Sequence, residues 1–168
     1  DMLSVSISEE ALKPLLIRHK DVSLAVVNSS ELCAVAGETS AIDRFRQALE
    51  KEGIKSKSIR TSHAFHSYMM DGILDEFRLA VSQVKAGEIK IPFISNLSKK
   101  QVSLAEVSQP QYWVDHLRHT VNFSQGIATL MEENDVVFVE VGPGKSLSTF
   151  VRSHQLREKS HQVINMVR

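Results

Sequence analysis

The chain opens on an alternation of apolar and polar positions. Residues 2–7, Met-Leu-Ser-Val-Ser-Ile, have the period of a half-buried strand. Ser8 follows as a helix cap, with Glu9 and Glu10 in the first turn where the helix dipole favours acids. Leu12, Leu15, Leu16 and His19 then recur at helical spacing. Pro14 falls among them and predicts either a first-turn position or a bend. Residues 23–28 read as a strand, Asn28-Ser29-Ser30 as a turn, and residues 32–37 as the returning strand of a hairpin. Thr39 or Ser40 caps a helix carrying Ile42, Phe45, Ala48 and Leu49, which Gly53 ends. Residues 54–59 alternate again. Strand, helix, strand, strand, helix, strand is the ferredoxin-like order, and it predicts a βαββαβ subdomain over residues 1–60.

The pattern changes after that. Residues 61–67 form a polar loop with two histidines. Met70, Ile73, Leu74, Phe77, Ala80, Val81 and Val84 predict one long helix. Residues 89–94 predict a short strand and residues 97–109 a polar loop. Pro110 begins a helix through Tyr112, Trp113 and Leu117, and Phe123, Ile127, Leu130 and Met131 mark another. Residues 136–141 are a continuous apolar run, the mark of a strand buried on both faces of a parallel sheet. Gly142-Pro143-Gly144 turns sharply into a helix from Ser146. The stretch from Gln155 is polar until Val163. The run at 136–141 needs neighbours on both sides, and only residues 91–94 offer one. Residues 61–168 therefore read as part of a larger sheet protein whose other strands lie elsewhere. The opening directly into a strand fits a piece of a longer domain.

Composition narrows the function classes. The 168 residues carry twenty basic and twenty acidic side chains, so no charge excess points to nucleic acid or to an anionic membrane. No apolar run reaches the ~18 residues of a membrane helix. The N-terminus lacks the basic and apolar regions of a signal peptide. Cys33 is the sole cysteine, which rules out an internal disulfide and fits a reducing, cytoplasmic setting. It lies on an apparent core strand, as a small buried hydrophobe rather than a nucleophile.

The densest polar cluster is Thr61-Ser62-His63-Ala64-Phe65-His66-Ser67. His63 and His66 could bind a metal, but no Cys, Asp or Glu accompanies them. One of them could serve as general base for a hydroxyl nucleophile, a task suited to a group that titrates near neutrality. Both could be plain loop histidines, which spacing alone favours. Ser67 reads as the cap of the following helix. No Gly-x-Ser-x-Gly elbow occurs in the sequence. Gly142-Pro143-Gly144-Lys145-Ser146 invites a phosphate-loop reading, but the first glycine of that motif is replaced by Val139, so a tight turn is favoured. Asp71, Asp75, Glu76, Glu132, Glu133 and Asp135 have the spacing of solvated helix faces.

Taken in order, the blocks resemble the acyltransferase domains of modular polyketide synthases. Residues 62–67 (Ser-His-Ala-Phe-His-Ser) resemble the specificity and catalytic segment. The hairpin at Val27-Asn28-Ser29 and Cys33-Ala34-Val35-Ala36-Gly37 resembles another block. So do Ile91-Pro92-Phe93-Ile94-Ser95-Asn96, Tyr112-Trp113-Val114-Asp115-His116-Leu117-Arg118 with Val121-Asn122-Phe123, and Val139-Glu140-Val141-Gly142-Pro143-Gly144. The resemblance covers nearly the whole chain and corresponds to the C-terminal two-thirds of such a domain. It implies an α/β fold: the ferredoxin-like unit over 1–60, then the C-terminal part of an α/β-hydrolase-like subdomain over 61–168. It implies ping-pong transfer of a malonyl group from malonyl-CoA, through an acyl-serine, to the phosphopantetheine thiol of an acyl carrier protein. His66 matches the catalytic base. His63, Ala64 and Phe65 match positions that correlate with extender choice, and the bulk of Phe65 favours malonyl over a methyl-branched unit by only ~1–3 kcal/mol. Asn28 matches an asparagine facing the site. A main-chain carbonyl at His116 is expected to orient the catalytic imidazole. The nucleophilic serine, in a Gly-His-Ser-x-Gly elbow, is expected in a segment upstream of Asp1, so the chain alone is expected to be inactive. The resemblance implies that segment, a carrier protein and neighbouring synthase domains as partners, with no metal or bound cofactor. A non-catalytic unit that docks a carrier protein is the alternative.

Overall fold

A computed structural model describes residues 1–167; Arg168, the end of the expected second segment, lies outside the described residues. Strands β1 (Met2–Val5), β2 (Val22–Ser29), β3 (Leu32–Gly37) and β4 (Ser56–Ile59) alternate with helices α1 (Glu9–Arg18) and α2 (Thr39–Lys51) in the expected order. They form one antiparallel sheet, β2-β3-β1-β4, with Val5 facing Cys33 on one side and Ser56 on the other. Ser8 caps α1 as expected, its Oγ accepting the Ala11 amide at 3.2 Å. Pro14 lies beyond the first turn and the helix continues through it to Arg18. Gly53 ends the α2 segment at φ 72°, a left-handed backbone that glycine adopts without a Cβ clash.

The two faces of this sheet differ. One carries Leu3, Val5, Cys33 and Val35 against Leu12 and Leu15 of α1 and Ile42, Phe45 and Leu49 of α2, all buried. The other carries small side chains, Ala25 and Ala36 beside Met2, and against them packs Ala64 of the histidine loop. Small residues let that loop approach the sheet closely, so the fold itself brings the histidines onto this face.

A 3-10 turn (Tyr68–Ile73) then leads into α3 (Leu74–Ser82), α4 (Leu104–Val107), α5 (Pro110–Arg118), α6 (Phe123–Leu130), β5 (Val137–Glu140), α7 (Ser146–Arg152) and β6 (Gln162–Asn165). Four expectations change here. The single long helix from Met70 is a 3-10 turn followed by the shorter α3, with Gly72 weakening the junction. Residues 91–94 form no strand: Ile94 makes one isolated bridge to Gln101 and Ile91 is 81% exposed. Pro92 removes a ladder donor there. The partner of β5 is instead β6, parallel to it, hidden in a stretch whose Gln162 and Asn165 masked Val163 and Ile164. Nor is β5 buried on both faces. Phe138 and Val163 pack on Ile127, Met131 and Val151, while Val137, Val139 and Ile164 are exposed on the opposite face.

The segment after α5 stitches the two regions together. Val121 forms a parallel bridge with Val26, with the Val27 amide donating to the Val121 carbonyl and the Val121 amide to the Ala25 carbonyl, each at 2.9 Å. The Thr120 hydroxyl donates to the Leu24 carbonyl at 2.7 Å.

Candidate active site

His66 sits at the meeting point of these elements. Its backbone has φ 58°, unusual for a residue with a side chain, and its amide donates to the Leu117 carbonyl at 3.2 Å. Its Nδ1 lies 3.1 Å from the His119 carbonyl oxygen. A carbonyl only accepts, so in the neutral ring the proton is on Nδ1 and Nε2 keeps its lone pair. Burial holds the imidazole pKa below its ordinary 6.5, repulsion from the His116 ring adds to this, and the His119 and His116 carbonyls pull the other way. The result is an imidazole that is neutral at pH 7, with one nitrogen fixed and the other free: the form a general base needs.

Sequence reasoning missed His119. The signal was available in the end of α5: Arg118 closes the helix and His119 caps it with extended backbone, which frees its carbonyl from the helical ladder. The main-chain carbonyl of His116, expected to orient the ring, also acts on His66, one turn back on α5, and the His116 ring centroid lies 6.2 Å from that of His66. Burial lowers its pKa as well. The Thr120–Leu24 and Val121–β2 bonds fix the His119 carbonyl, so β2 of the first sheet helps aim the ring.

The fold places the remaining predicted residues differently. His63 and Phe65 share the loop with His66, their rings 5.7 Å apart, both exposed. His63 Nδ1 lies 3.0 Å from the Ser62 hydroxyl, and the ring lines a cleft of about 540 Å³ with Ala64, Met70 and the start of α2. Asn28 is half-buried on β2, the strand carrying the Val26–Val121 bridge, and no hydrogen bond joins it to His66. Among the described residues, no group of three or more His, Cys, Asp or Glu side chains could hold a metal ion. Cys33 is buried, and burial pushes its thiol up to about 11.

The turn at 142–144 is not a phosphate cradle. The Glu140 carboxylate accepts the amides of Leu147 at 3.2 Å and Ser148 at 2.9 Å, the α7 N–H groups an anion would need. Asn165 donates to both Glu140 and Ser148, tying β5, β6 and α7 together. Those bonds hold the carboxyl below its usual range.

The chain is a mixed α/β unit with a ferredoxin-like sheet beside a parallel strand pair, and the His66 ring lies anchored where the two meet. The chain belongs to the acyl transferase domain family, whose match spans residues 1–166. Its relatives are modular polyketide synthases. It is 33% identical over 150 residues to polyketide synthase GfsB of Streptomyces halstedii, a match covering 88% of this chain and 3% of GfsB. Among solved structures it is similar to the acyltransferase domain of SpnD in complex with 2-(pent-4-yn-1-yl)malonyl, with 34% identity and TM-score 0.91, covering 98% of this chain and 40% of that one. It is also similar to the acyltransferase domain of ZmaA, with 38% identity and TM-score 0.85, covering 99% and 39%. The chain thus spans about two-fifths of the solved acyltransferase chains and a small fraction of the curated synthases. No helix among the described residues is long and apolar enough to cross a membrane.

Proposed function

We propose that this chain carries the base and part of the acyl pocket of an acyltransferase that loads malonyl units from malonyl-CoA onto the phosphopantetheine thiol of an acyl carrier protein. The observation that carries the reading is the His66 imidazole, anchored through Nδ1 on the His119 carbonyl with Nε2 left free, in surroundings whose burial favours the neutral ring. In this reading Nε2 takes the proton of a serine hydroxyl as that oxygen attacks the thioester carbonyl, and returns it to the departing CoA thiol. The carrier's thiol then attacks the acyl-serine, with His66 again accepting and returning a proton. The His119 carbonyl, with that of His116 behind it, keeps the tautomer fixed through both halves.

The serine is supplied from outside these 168 residues, in a Gly-His-Ser-x-Gly elbow, and the chain alone transfers no malonyl group. Residues 1–60 act as the small subdomain and residues 61–168 as part of the large one. Exposed His63 and Phe65 narrow the acyl pocket from the loop side and Asn28 from β2. The bulk of Phe65 favours the unbranched extender.

The test is to incubate the chain with radiolabelled malonyl-CoA, with and without an added polypeptide bearing the upstream elbow region. The expected result is label on the added piece only, lost with His66→Ala. Label on the chain alone, or label that survives His66→Ala, overturns the reading. No label in either mixture, with stoichiometric carrier-protein binding, replaces it with a docking role.

A further inference from the structure

We propose that Ser67 is a positioning residue: its buried hydroxyl closes the turn that holds His66 in left-handed backbone and so aims the imidazole. The proposal rests on the reading of His66 as base. Ser67 is fully buried, rare for a serine unless both of its hydrogen-bonding capacities are used. Here both are. The hydroxyl donates to the Ala64 carbonyl at 2.6 Å and accepts the Met69 amide at 3.2 Å. The first bond spans residues 65 and 66 and closes a tight turn around them. The second fixes the start of the 3-10 turn.

Histidine enters the φ region of 58° only where its surroundings over-determine it. Two contacts do so from either side: Ser67, and the Leu117 carbonyl that accepts the His66 amide. The far end of the turn is equally fixed, because Ala64 is buried against Met2, Ala25 and Ala36 on the sheet. A continuous path therefore runs from the sheet, through Ala64 and the Ser67 hydroxyl, to the backbone of the base. With that backbone relaxed to negative φ, the ring turns away from the His119 carbonyl and Nδ1 loses its acceptor. A cap that merely started the 3-10 turn would affect residues 68–73 and leave the tautomer alone.

The experiment uses the 168-residue chain with ¹⁵N-labelled histidine, the His66 ring signals being assigned by their loss in His66→Gln. The expected result is a single Nδ1–H tautomer in the unmodified chain at neutral pH. Ser67→Ala should give a mixture rich in Nε2–H while the β1–β4 amide signals stay in place. Ser67→Thr, which retains the hydroxyl, should restore the Nδ1–H form. In the reconstituted labelling reaction Ser67→Ala should slow the maximal rate about 10²-fold, the effect of a displacement near 1 Å, with little change in the malonyl-CoA concentration required. A folded Ser67→Ala chain with the unmodified tautomer overturns the proposal. Should that variant not fold, the unmodified chain decides: mixed tautomers and an unprotected His66 amide overturn it, and a single Nδ1–H form with a protected amide supports it. If the tautomer responds to Ser67→Ala while labelling survives His66→Ala, the positioning stands and the base assignment falls. An unmoved tautomer with labelling lost in His66→Ala gives the reverse.

Discussion

The two sheets of this chain solve the same problem to different extents. In the first, four antiparallel strands have one face covered by α1 and α2 and enough small residues on the other for a loop to cover it. Leu3, Val5, Leu12, Val35 and Phe45 are completely buried. In the second, two parallel strands have α6 and α7 on one face and nothing among the described residues on the other. Parallel pairs are ordinarily buried on both faces, and two strands alone are a marginal unit. The difference shows where each sheet finds its stabilisation. The first has its cover within residues 1–64. The second has only half of its cover among the described residues, and its Val137, Val139 and Ile164 form an apolar surface of the kind that other protein segments bury.

The comparison breaks most directly by truncating one side chain in each region. Phe45→Ala removes a fully buried ring from between α2 and the sheet and should cost about 3–5 kcal/mol. Val139→Ala removes an exposed side chain and should cost less than about 0.5 kcal/mol in this chain. Urea unfolding followed by far-UV circular dichroism measures both. Equal losses would mean that the bare face of β5 is covered in solution, by a second copy or by rearrangement. With the elbow segment added, Val139→Ala should become the costlier of its two measurements.

The same contrast explains what could be read in advance. The βαββαβ unit was legible because its signals are local: the alternation at 2–7, the Ser8 cap, the Gly53 stop and the period of Ile42, Phe45 and Leu49 all agree with its tertiary contacts. The second region was less legible because its elements depend on partners distant in sequence. Ile91 and Phe93 look like strand residues but meet no sheet edge. Val163 and Ile164 look like the end of a polar tail but pair with β5. His66 stood out through family resemblance, since spacing alone favoured a plain loop histidine. The His119 carbonyl did not stand out, because a main-chain acceptor has no residue signature. It acquires its role from where α5 stops and from the bonds that tie Thr120 and Val121 to β2.

A smaller effect is expected at the seam between the two regions, where protons report on it. Burial holds both His66 and His116 below the ordinary value of 6.5. The unfolded chain therefore takes up protons in the window just below 6.5 that the folded rings resist. The associated stability is present above that value and is lost as pH falls through the lower folded-state values. The urea midpoint should drop between about pH 7.5 and about pH 5.5, and His66→Asn should drop less, since asparagine tolerates the left-handed backbone without titrating. An unchanged pH dependence in that variant would show that the His66 ring is not linked to folding.

The smallest perturbation uses Cys33, which needs no substitution to report. It lies on β3 opposite Val5 and Val27, fully buried, with its thiol pushed up to about 11 by that burial. A thiol reagent needs the thiolate and needs access, and the folded chain offers little of either. Modification near pH 8 should therefore proceed only through opening of the first sheet. Phe45→Ala weakens that sheet and should speed the reaction roughly a hundredfold or more, since each 1.4 kcal/mol is a factor of ten in the open population. Val139→Ala should leave the rate unchanged, because β5 contributes nothing to the core around Cys33. If Val139→Ala accelerates modification as much as Phe45→Ala does, the two sheets open together. The bonds through Thr120 and Val121 would then make one cooperative unit of both regions, and the contrast between a self-covered sheet and a half-covered one would not extend to their stabilities.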